Sequence, residues 1–313
     1  MDKRIWIIGA GGIAIEYAKV LKALGKEFIV IGRGEDSGRK FKEATGIEPI
    51  LGGLDKYLES SPDIPEYAIN CVRAFELGET NVKLARYGVK RILSEKPGLL
   101  PGEEEKVQEA IKESGAEIYI AYNRRFFSSV IAAEKIIAED GGLQSFLFEF
   151  TEWAHVIEAT TTIPEIEKRN LFITNSTHVV DLAFFIGGDP IEMSAYNAGT
   201  VGWHTPAIFS GAGITNKGAL FSYNANWNAP GRWAVEFLTA KHRIYLKPME
   251  QLQLQDKGSV KVYPVEIDDH LDKEFKPGFY LETKAFLENH TDELCSIQQQ
   301  QKHLIFYKQI LGF

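Results

Sequence analysis

The chain is poor in cysteine and in basic residues, and it has no long apolar run. Its two cysteines, Cys71 and Cys295, lie far apart with no ligand cluster beside either. That excludes a disulfide framework and gives no support to a structural zinc site. No stretch approaches the ~18 apolar residues of a membrane-spanning helix. Lysine and arginine total 35 against 43 aspartates and glutamates, a formal net charge of -8. A field of that sign repels phosphodiester backbones and anionic lipid, so neither nucleic acid nor a membrane is an expected partner. Among the histidines, His155, His204, His242, His270, His290 and His303 form no ligand-spaced pair, and no metal is expected. Internal repeats are absent, and the one low-complexity piece, Gln298 to Gln301, reads as a solvated helix start.

Few cysteines fit a reducing compartment, and a cytoplasmic location is expected. Lys3 and Arg4 ahead of the apolar run Ile5 to Ile15 look superficially like a secretory leader. That run contains Gly9, Gly11 and Gly12, continues into Glu16 and Lys19 in helical register, and lacks a small-x-small cleavage site. It therefore reads as strand, turn and helix.

At roughly 150 residues per domain, the length allows two domains. Strand candidates Arg4 to Ile8, Glu27 to Ile31, Pro49 to Leu51, Tyr67 to Val72, Arg91 to Ser94 and Glu117 to Ala121 alternate with helical periodicity. This is the pattern of βαβ units and a parallel sheet. In the clearest helix Ile13, Tyr17, Val20, Leu21 and Leu24 share a face and Gly25 sits at the C-cap. A second begins near Gly102, with Glu103, Glu104 and Glu105 at the positive end of its dipole. From Tyr122 the rhythm changes. A helix over Ser128 to Asp140 leads into a long strand, Leu143 to Glu152, and an irregular stretch. Then come strands at Phe209 to Ile214, Ala219 to Asn226, Trp233 to Thr239, Arg243 to Leu246, Gln251 to Gln255 and Val260 to Ile267. Helices near Asn175 to Ile186, Gly278 to Asn289 and Gln298 to Leu311 are expected to cover one face of that largely antiparallel sheet.

Gly9-Ala10-Gly11-Gly12-Ile13-Ala14 follows the first strand and opens the first helix, matching G-x-G-x-x-A in context. Gly9 permits the tight turn, Gly11 lets the backbone approach a pyrophosphate, and Ala14 allows close helix-to-strand packing. A glycine-rich turn without a ligand is the alternative. The fold class that follows is α/β: a Rossmann doubly wound parallel sheet over residues 1–121, then an α+β domain with a large open, mostly antiparallel sheet over 122–313. At the end of the second strand, where NAD sites usually carry an acid, stand Gly32 and Arg33. A guanidinium can hold a 2′-phosphate, with Ser37, Arg39 and Lys40 close behind, so NADP(H) is expected over NAD(H). Glu35 keeps NAD(H) open. Cys71, Val72 and Arg73, at and just past the end of the fourth strand, are expected to touch the cofactor.

Glu95-Lys96-Pro97 ends the fifth strand on the same edge. A lysine there can hold a substrate hydroxyl and lower its pKa, or be a solvated loop residue. With the glycine-rich start, Tyr122-Asn123-Arg124-Arg125-Phe126 and the helical His178-x-x-Asp181, the sequence resembles the Gfo/Idh/MocA oxidoreductases over nearly its whole length. The resemblance implies hydride transfer between a nicotinamide and a polyol, sugar or sugar derivative. It also implies a homodimer or homotetramer formed through the faces of the C-terminal sheets. By resemblance Lys96 is the active-site lysine, Glu95, Asn123 and Arg124 accompany the cofactor, and His178 is the acid or base toward the substrate oxygen. An imidazole titrating near neutrality suits that role, and a core or capping histidine is the alternative. One departure stands out. The family pattern has an aspartate four residues before this histidine, and here the position is Thr174. Thr174 or Asn175 can cap the helix instead, and either can touch substrate.

Further substrate candidates are Tyr122, Asp181, for which a helix-stabilising hydrogen bond is the equal alternative, and, in the polar and aromatic stretch from Tyr196 to Trp233 that also holds Trp203, His204, Tyr223, Asn224, Asn226, Asn228 and Trp233, Trp227 and Arg232. Such residues stack on sugar or base rings, but on strands they also form cross-strand packing pairs. Arg124, Arg125, Arg169 and Arg232 can meet an anion, which would suit a nucleotide sugar or sugar acid. A faint resemblance to family members from surface-polysaccharide pathways points the same way. Two other functions stay open at this level: a non-catalytic dinucleotide-binding regulator, and a dehydrogenase of small non-sugar substrates such as imines or dihydrodiols.

Overall fold

The computed structural model describes residues 4–313. In chain order its principal elements are β1 (Ile5–Ile8), α1 (Gly12–Ala23), β2 (Phe28–Gly32), α2 (Glu35–Thr45), β3 (Ile50–Leu51), α3 (Gly53–Glu59), β4 (Tyr67–Asn70), α4 (Leu77–Tyr87), β5 (Arg91–Glu95), α5 (Glu104–Ser114) and β6 (Glu117–Ala121). There follow α6 (Ser128–Glu139), β7 (Ser145–Glu149), α7 (Ala154–Ala159), α8 (Glu165–Arg169), α9 (Thr177–Gly187), β8 (Pro190–Ala198), β9 (Ile208–Thr215), β10 (Leu220–Asn226), β11 (Ala234–Leu238), β12 (His242–Leu246), β13 (Gln253–Asp256) and β14 (Val262–Pro264). The chain ends with α10 (His270–Glu274), α11 (Phe279–Glu288), β15 (Cys295–Ser296) and α12 (Ile297–Leu311). No helix among the described residues is long and apolar enough to cross a membrane.

The chain divides into two compact units: one of residues up to Tyr122 together with Lys273–Gln301, the other of Asn123–Asp272 and Lys302–Phe313. In the first, the sheet order is β15-β6-β5-β4-β1-β2-β3, parallel except for β15. The order reverses direction between β1 and β4, the switch point at which doubly wound sheets bind ligands. The strands are short and apolar because helices cover both faces; Ile5, Trp6, Ile7 and Ile8 are all buried. One expectation fails here. The Gly278–Asn289 helix does not cover the second sheet: α11 packs in the first unit, with Phe279 4.9 Å from Tyr17 of α1 and Leu287 accepting the Tyr67 hydroxyl at 3.2 Å. An amphipathic helix carries no signal of which sheet it will cover, so sequence order misassigned it.

The second unit holds an eight-stranded sheet, β14-β13-β12-β11-β7-β10-β9-β8. It is antiparallel apart from the β7–β10 pair. Phe146, Phe148 and Phe150 alternate along one chain direction and point to one face, as the two-residue strand period requires. Phe184 of α9 closes on that layer, edge-on to Phe146 at 5.9 Å, Phe148 at 5.6 Å and Phe221 at 5.1 Å. β8 was not foreseen. It is a largely exposed edge strand, although Ile191, Met193 and Ala195 alternate with Glu192 and Ser194. The segment Leu143 to Glu152 is a shorter strand than expected, and Val260 to Ile267 contributes three residues of strand.

Phe184→Ala is expected to cost about 3–5 kcal/mol of stability in chemical denaturation. A loss below about 1 kcal/mol would mean that α9 is not held by this aromatic layer.

Candidate functional site

In the first unit the glycine turn has two kinds of glycine. Gly9 lies at φ +111, and a Cβ there would stand 2.7 Å from the Cys71 carbonyl oxygen. Gly9 donates to the Ile31 carbonyl at 2.8 Å and Cys71 donates to the Ile8 carbonyl at 2.9 Å, which draws the three strand ends together. By contrast, Cβ atoms on Gly11 and Gly12 would meet nothing within 4 Å. Gly11 is the N-cap of α1, with no side-chain cap and no acid in the first turn. The amide groups at the start of a helix have no intrahelical acceptor, and the helix dipole is positive there. Ala10 is buried and Ile13 half-buried beside this opening.

Arg33, just past β2, is 72% exposed and bonds Glu76 at 3.0 Å. Ser37 donates to the Gly34 carbonyl at 2.9 Å, and Glu35 opens α2. Arg39 is engaged with Asp36 and Glu43 along its own helix, and Lys40 is exposed. After β4, Cys71 and Val72 are half-buried and Arg73 is exposed. Burial, and then the Glu95 charge, raise the Cys71 thiol well above its usual range, so it stays protonated.

Lys96 follows β5 on the same edge, half-buried, and its bond to Pro97 is cis. Glu95 accepts the hydroxyl of buried Tyr17 at 3.1 Å. Behind the turn runs a buried amide chain: Asn70 donates to Asn81 at 2.8 Å, and Asn81 donates to Ser94 and to the Gly98 carbonyl, both at 2.9 Å. Gln300 continues the support by accepting the Tyr122 hydroxyl at 3.1 Å and donating to the Pro97 carbonyl at 3.1 Å. This corrects two expectations. Gln300 is fully buried rather than solvated, and Tyr122 is a core residue bracing the Lys96–Pro97 turn.

In the second unit His178 sits in the first turn of α9, buried. Its Nε2 lies 3.0 Å from Nη1 of Arg124, which also donates to Asn123 at 2.7 Å. A guanidinium has only donors, so Nε2 of His178 accepts. Arg124 lies over the Trp233 ring at 5.4 Å, and the His178 and Trp233 ring centres are 6.1 Å apart. The expected cap is absent. α9 continues from a π-helical turn, Phe172–Ser176, so there is no open helix end for Thr174 or Asn175 to cap. Thr174 donates to the Asn170 carbonyl at 3.1 Å, and π-helical turns recur at functional sites.

Glu152 was missed. It is 1% exposed and gathers the surrounding donors: Asn175 at 3.0 Å, Ser176 at 2.7 Å, Trp233 at 3.2 Å and Arg232 at 2.9 Å. Burial raises its carboxyl above the usual range, while Ser176, Arg232 and Asn175 pull it back. A signal existed. Phe146, Phe148, Phe150 and Glu152 share one parity, so the alternation that buries three phenylalanines points a carboxylate inward as well. Arg232 is flattened between Trp153 at 4.9 Å and Trp233 at 4.6 Å. Glu152, Trp153, Trp227 and Gly231 border a cavity of about 700 Å³.

Other candidates are structural. Asp181 is 0% exposed, with both oxygens on Arg125 at 2.8 and 2.6 Å, a core ion pair rather than a ligand position. Arg125 is therefore not available to an anion. Trp227 stacks on Trp203 at 5.7 Å and donates to the Phe150 carbonyl at 3.2 Å, and Tyr223 packs on Phe148 at 5.4 Å. Asp181→Ala strands a buried guanidinium and is expected to cost about 3–5 kcal/mol in chemical denaturation. A variant of wild-type stability with an altered substrate KM would instead make Asp181 a ligand residue.

Comparison with known proteins matches these features at two levels. The family model for pyridine nucleotide-disulphide oxidoreductases matches residues 4–46, the β1–α2 segment. That segment contains no cysteine, so the match concerns the nucleotide-binding fold and not disulfide chemistry. No curated protein matches the chain. A candidate NADPH-dependent oxidoreductase from Desulfitobacterium hafniense superposes with a TM-score of 0.80 at 14% identity, over 98% of this chain and 94% of the other. Levoglucosan dehydrogenase in complex with NADH gives 0.77 at 15% identity, over 99% and 96%. UDP-N-acetylglucosamine 3-dehydrogenase GnnA from Acidithiobacillus ferrooxidans gives 0.75 at 14%, over 98% and 96%. The chain shares the fold of these dehydrogenases along nearly its whole length, and it is the fold the Gfo/Idh/MocA resemblance implies.

Proposed function

We propose that the chain is a nicotinamide-dinucleotide-dependent oxidoreductase that interconverts a carbohydrate hydroxyl and its ketone. One observation carries the reading: at the N-terminus of α1, a Cβ on Gly11 or Gly12 would have no neighbour within 4 Å among the described residues, beside a Gly9 fixed by backbone contact. Gly9 is explained by the fold alone. Gly11 and Gly12 are explained by a pyrophosphate that needs close backbone approach and the positive end of a helix. Gly9 to Ile13 would hold the diphosphate, Cys71 to Arg73 and Glu95 would line the crossover, and Asn123 and Arg124 would serve the nicotinamide end. When bound, the nicotinamide supplies the hydride acceptor or donor.

The residues of the chain supply the rest. Lys96 holds the substrate oxygen and favours the charge that develops on it. His178 takes the hydroxyl proton in oxidation, once the substrate displaces the Arg124 N–H that its Nε2 accepts, and returns it in reduction. The sugar dehydrogenases that share the fold support the carbohydrate class. In this reading the first unit serves the cofactor, and the second serves the substrate and the oligomer through the exposed face of the eight-stranded sheet. A homodimer or homotetramer in the cytoplasm completes the reading.

Arg33 and Ser37 support NADP(H). The Arg33–Glu76 pair is exposed, and such pairs are weak enough to open for a 2′-phosphate. Arg33→Ala is expected to weaken NADPH at least about tenfold more than NADH in binding titrations. Equal losses would assign the chain to NAD(H). Lys96→Ala is expected to lower kcat by at least about 10²-fold in NADPH oxidation with a panel of keto-sugars, while dinucleotide affinity stays measurable. Wild-type turnover in that variant would remove Lys96 from the reaction.

A further inference from the structure

We propose that Glu152 is the positioning residue for His178: a carboxylate delivered from beyond the end of β7 organises this end of the site in place of one on the helix. The inference rests on the reading of His178 as the proton-moving residue.

Glu152 grips two segments. Its Oε1 accepts Asn175 and Ser176, which immediately precede the turn of α9 that carries His178, and also the Trp233 indole. Its Oε2 accepts Arg232, next to Trp233 in sequence. Trp233 in turn lies against both His178 and Arg124, and Arg124 donates to the His178 ring. Every element that Glu152 holds is thus adjacent to the imidazole, either along the chain or through a ring contact. Only a carboxylate suits the position. All four neighbours donate, a carboxylate is the one side chain of this size that accepts throughout, and an amide would turn an N–H against one of them. Burying that charge is costly, and the four donors offset the cost. At position 174 the helix offers a hydroxyl turned to its own backbone.

The test uses Glu152→Gln and Glu152→Ala in the full chain. Two quantities are read: the ring ¹⁵N signals of His178 and the Trp233 indole N–H in labelled protein without substrate, and kcat, KM and dinucleotide affinity. Gln keeps an oxygen for Asn175, Ser176 and Trp233 but faces Arg232 with donors, so it guards against the failure of the alanine variant to fold. The His178 and Trp233 signals are expected to move in both folded variants. In the alanine variant kcat should fall about 10²-fold, as a catalytic group displaced by about 1 Å allows, and in the glutamine variant by less, with dinucleotide affinity unchanged in both. His178 signals identical to wild type in both variants, or wild-type kcat in the alanine variant, overturn the proposal. If the wild-type protein turns over no carbohydrate, the functional reading fails, and the ring signals still decide whether Glu152 positions His178.

Discussion

Gly9 and the Cys71 carbonyl come so close that no side chain fits between them. That approach ties the end of β1 to the end of β4, the pair at which the sheet order reverses. Because the crossover connections leave in opposite directions there, the carboxyl edge opens and α1 presents its unsatisfied amides to the gap. The other features of this edge depend on it. The β4–β5 pairing carries Glu95 and Lys96 to the same edge, and Asn70, Asn81, Ser94 and Gly98 lock the following turn with hydrogen bonds in a medium where unpaired amides are costly.

The second unit is organised by a different balance. An aromatic layer between sheet and helix supplies the apolar burial, and the buried carboxylates Asp181 and Glu152 are each met by donors. Arg125 with Asp181 is one such pair, tying α9 to the segment ahead of α6. Glu152 with its four donors is another, and it stands where the layer meets a cavity. The first is architecture; the second lies beside the imidazole. The distinction comes from what each carboxylate touches, since both are almost wholly buried.

The sequence makes local demands legible and distant ones obscure. The turn at Gly9, the βαβ rhythm and the change of pattern after Tyr122 can be read because each follows from backbone geometry or periodicity within a few residues. Gln300 looks like solvated low complexity because its partners, Tyr122 and Pro97, lie far away in sequence. Asp181 looks like a ligand contact because its spacing from His178 is helical, whereas the Arg125 that neutralises it comes from a different element. Glu152 was within reach, since its parity matches three buried phenylalanines, but the donors that justify it come from segments that only the fold assembles.

The central claim is that the open glycines at the head of α1 exist for a dinucleotide. Gly11→Val tests it most directly, because a Cβ there has no atom of the described residues within 4 Å and stands in the space a pyrophosphate needs. Dinucleotide binding should be measured by titration calorimetry alongside the thermal midpoint. The account predicts saturable NADPH or NADH binding by the wild-type protein, lost in the variant, with the midpoint lowered by no more than a few degrees. Equal binding by both proteins, or none by a folded wild-type chain, would contradict it.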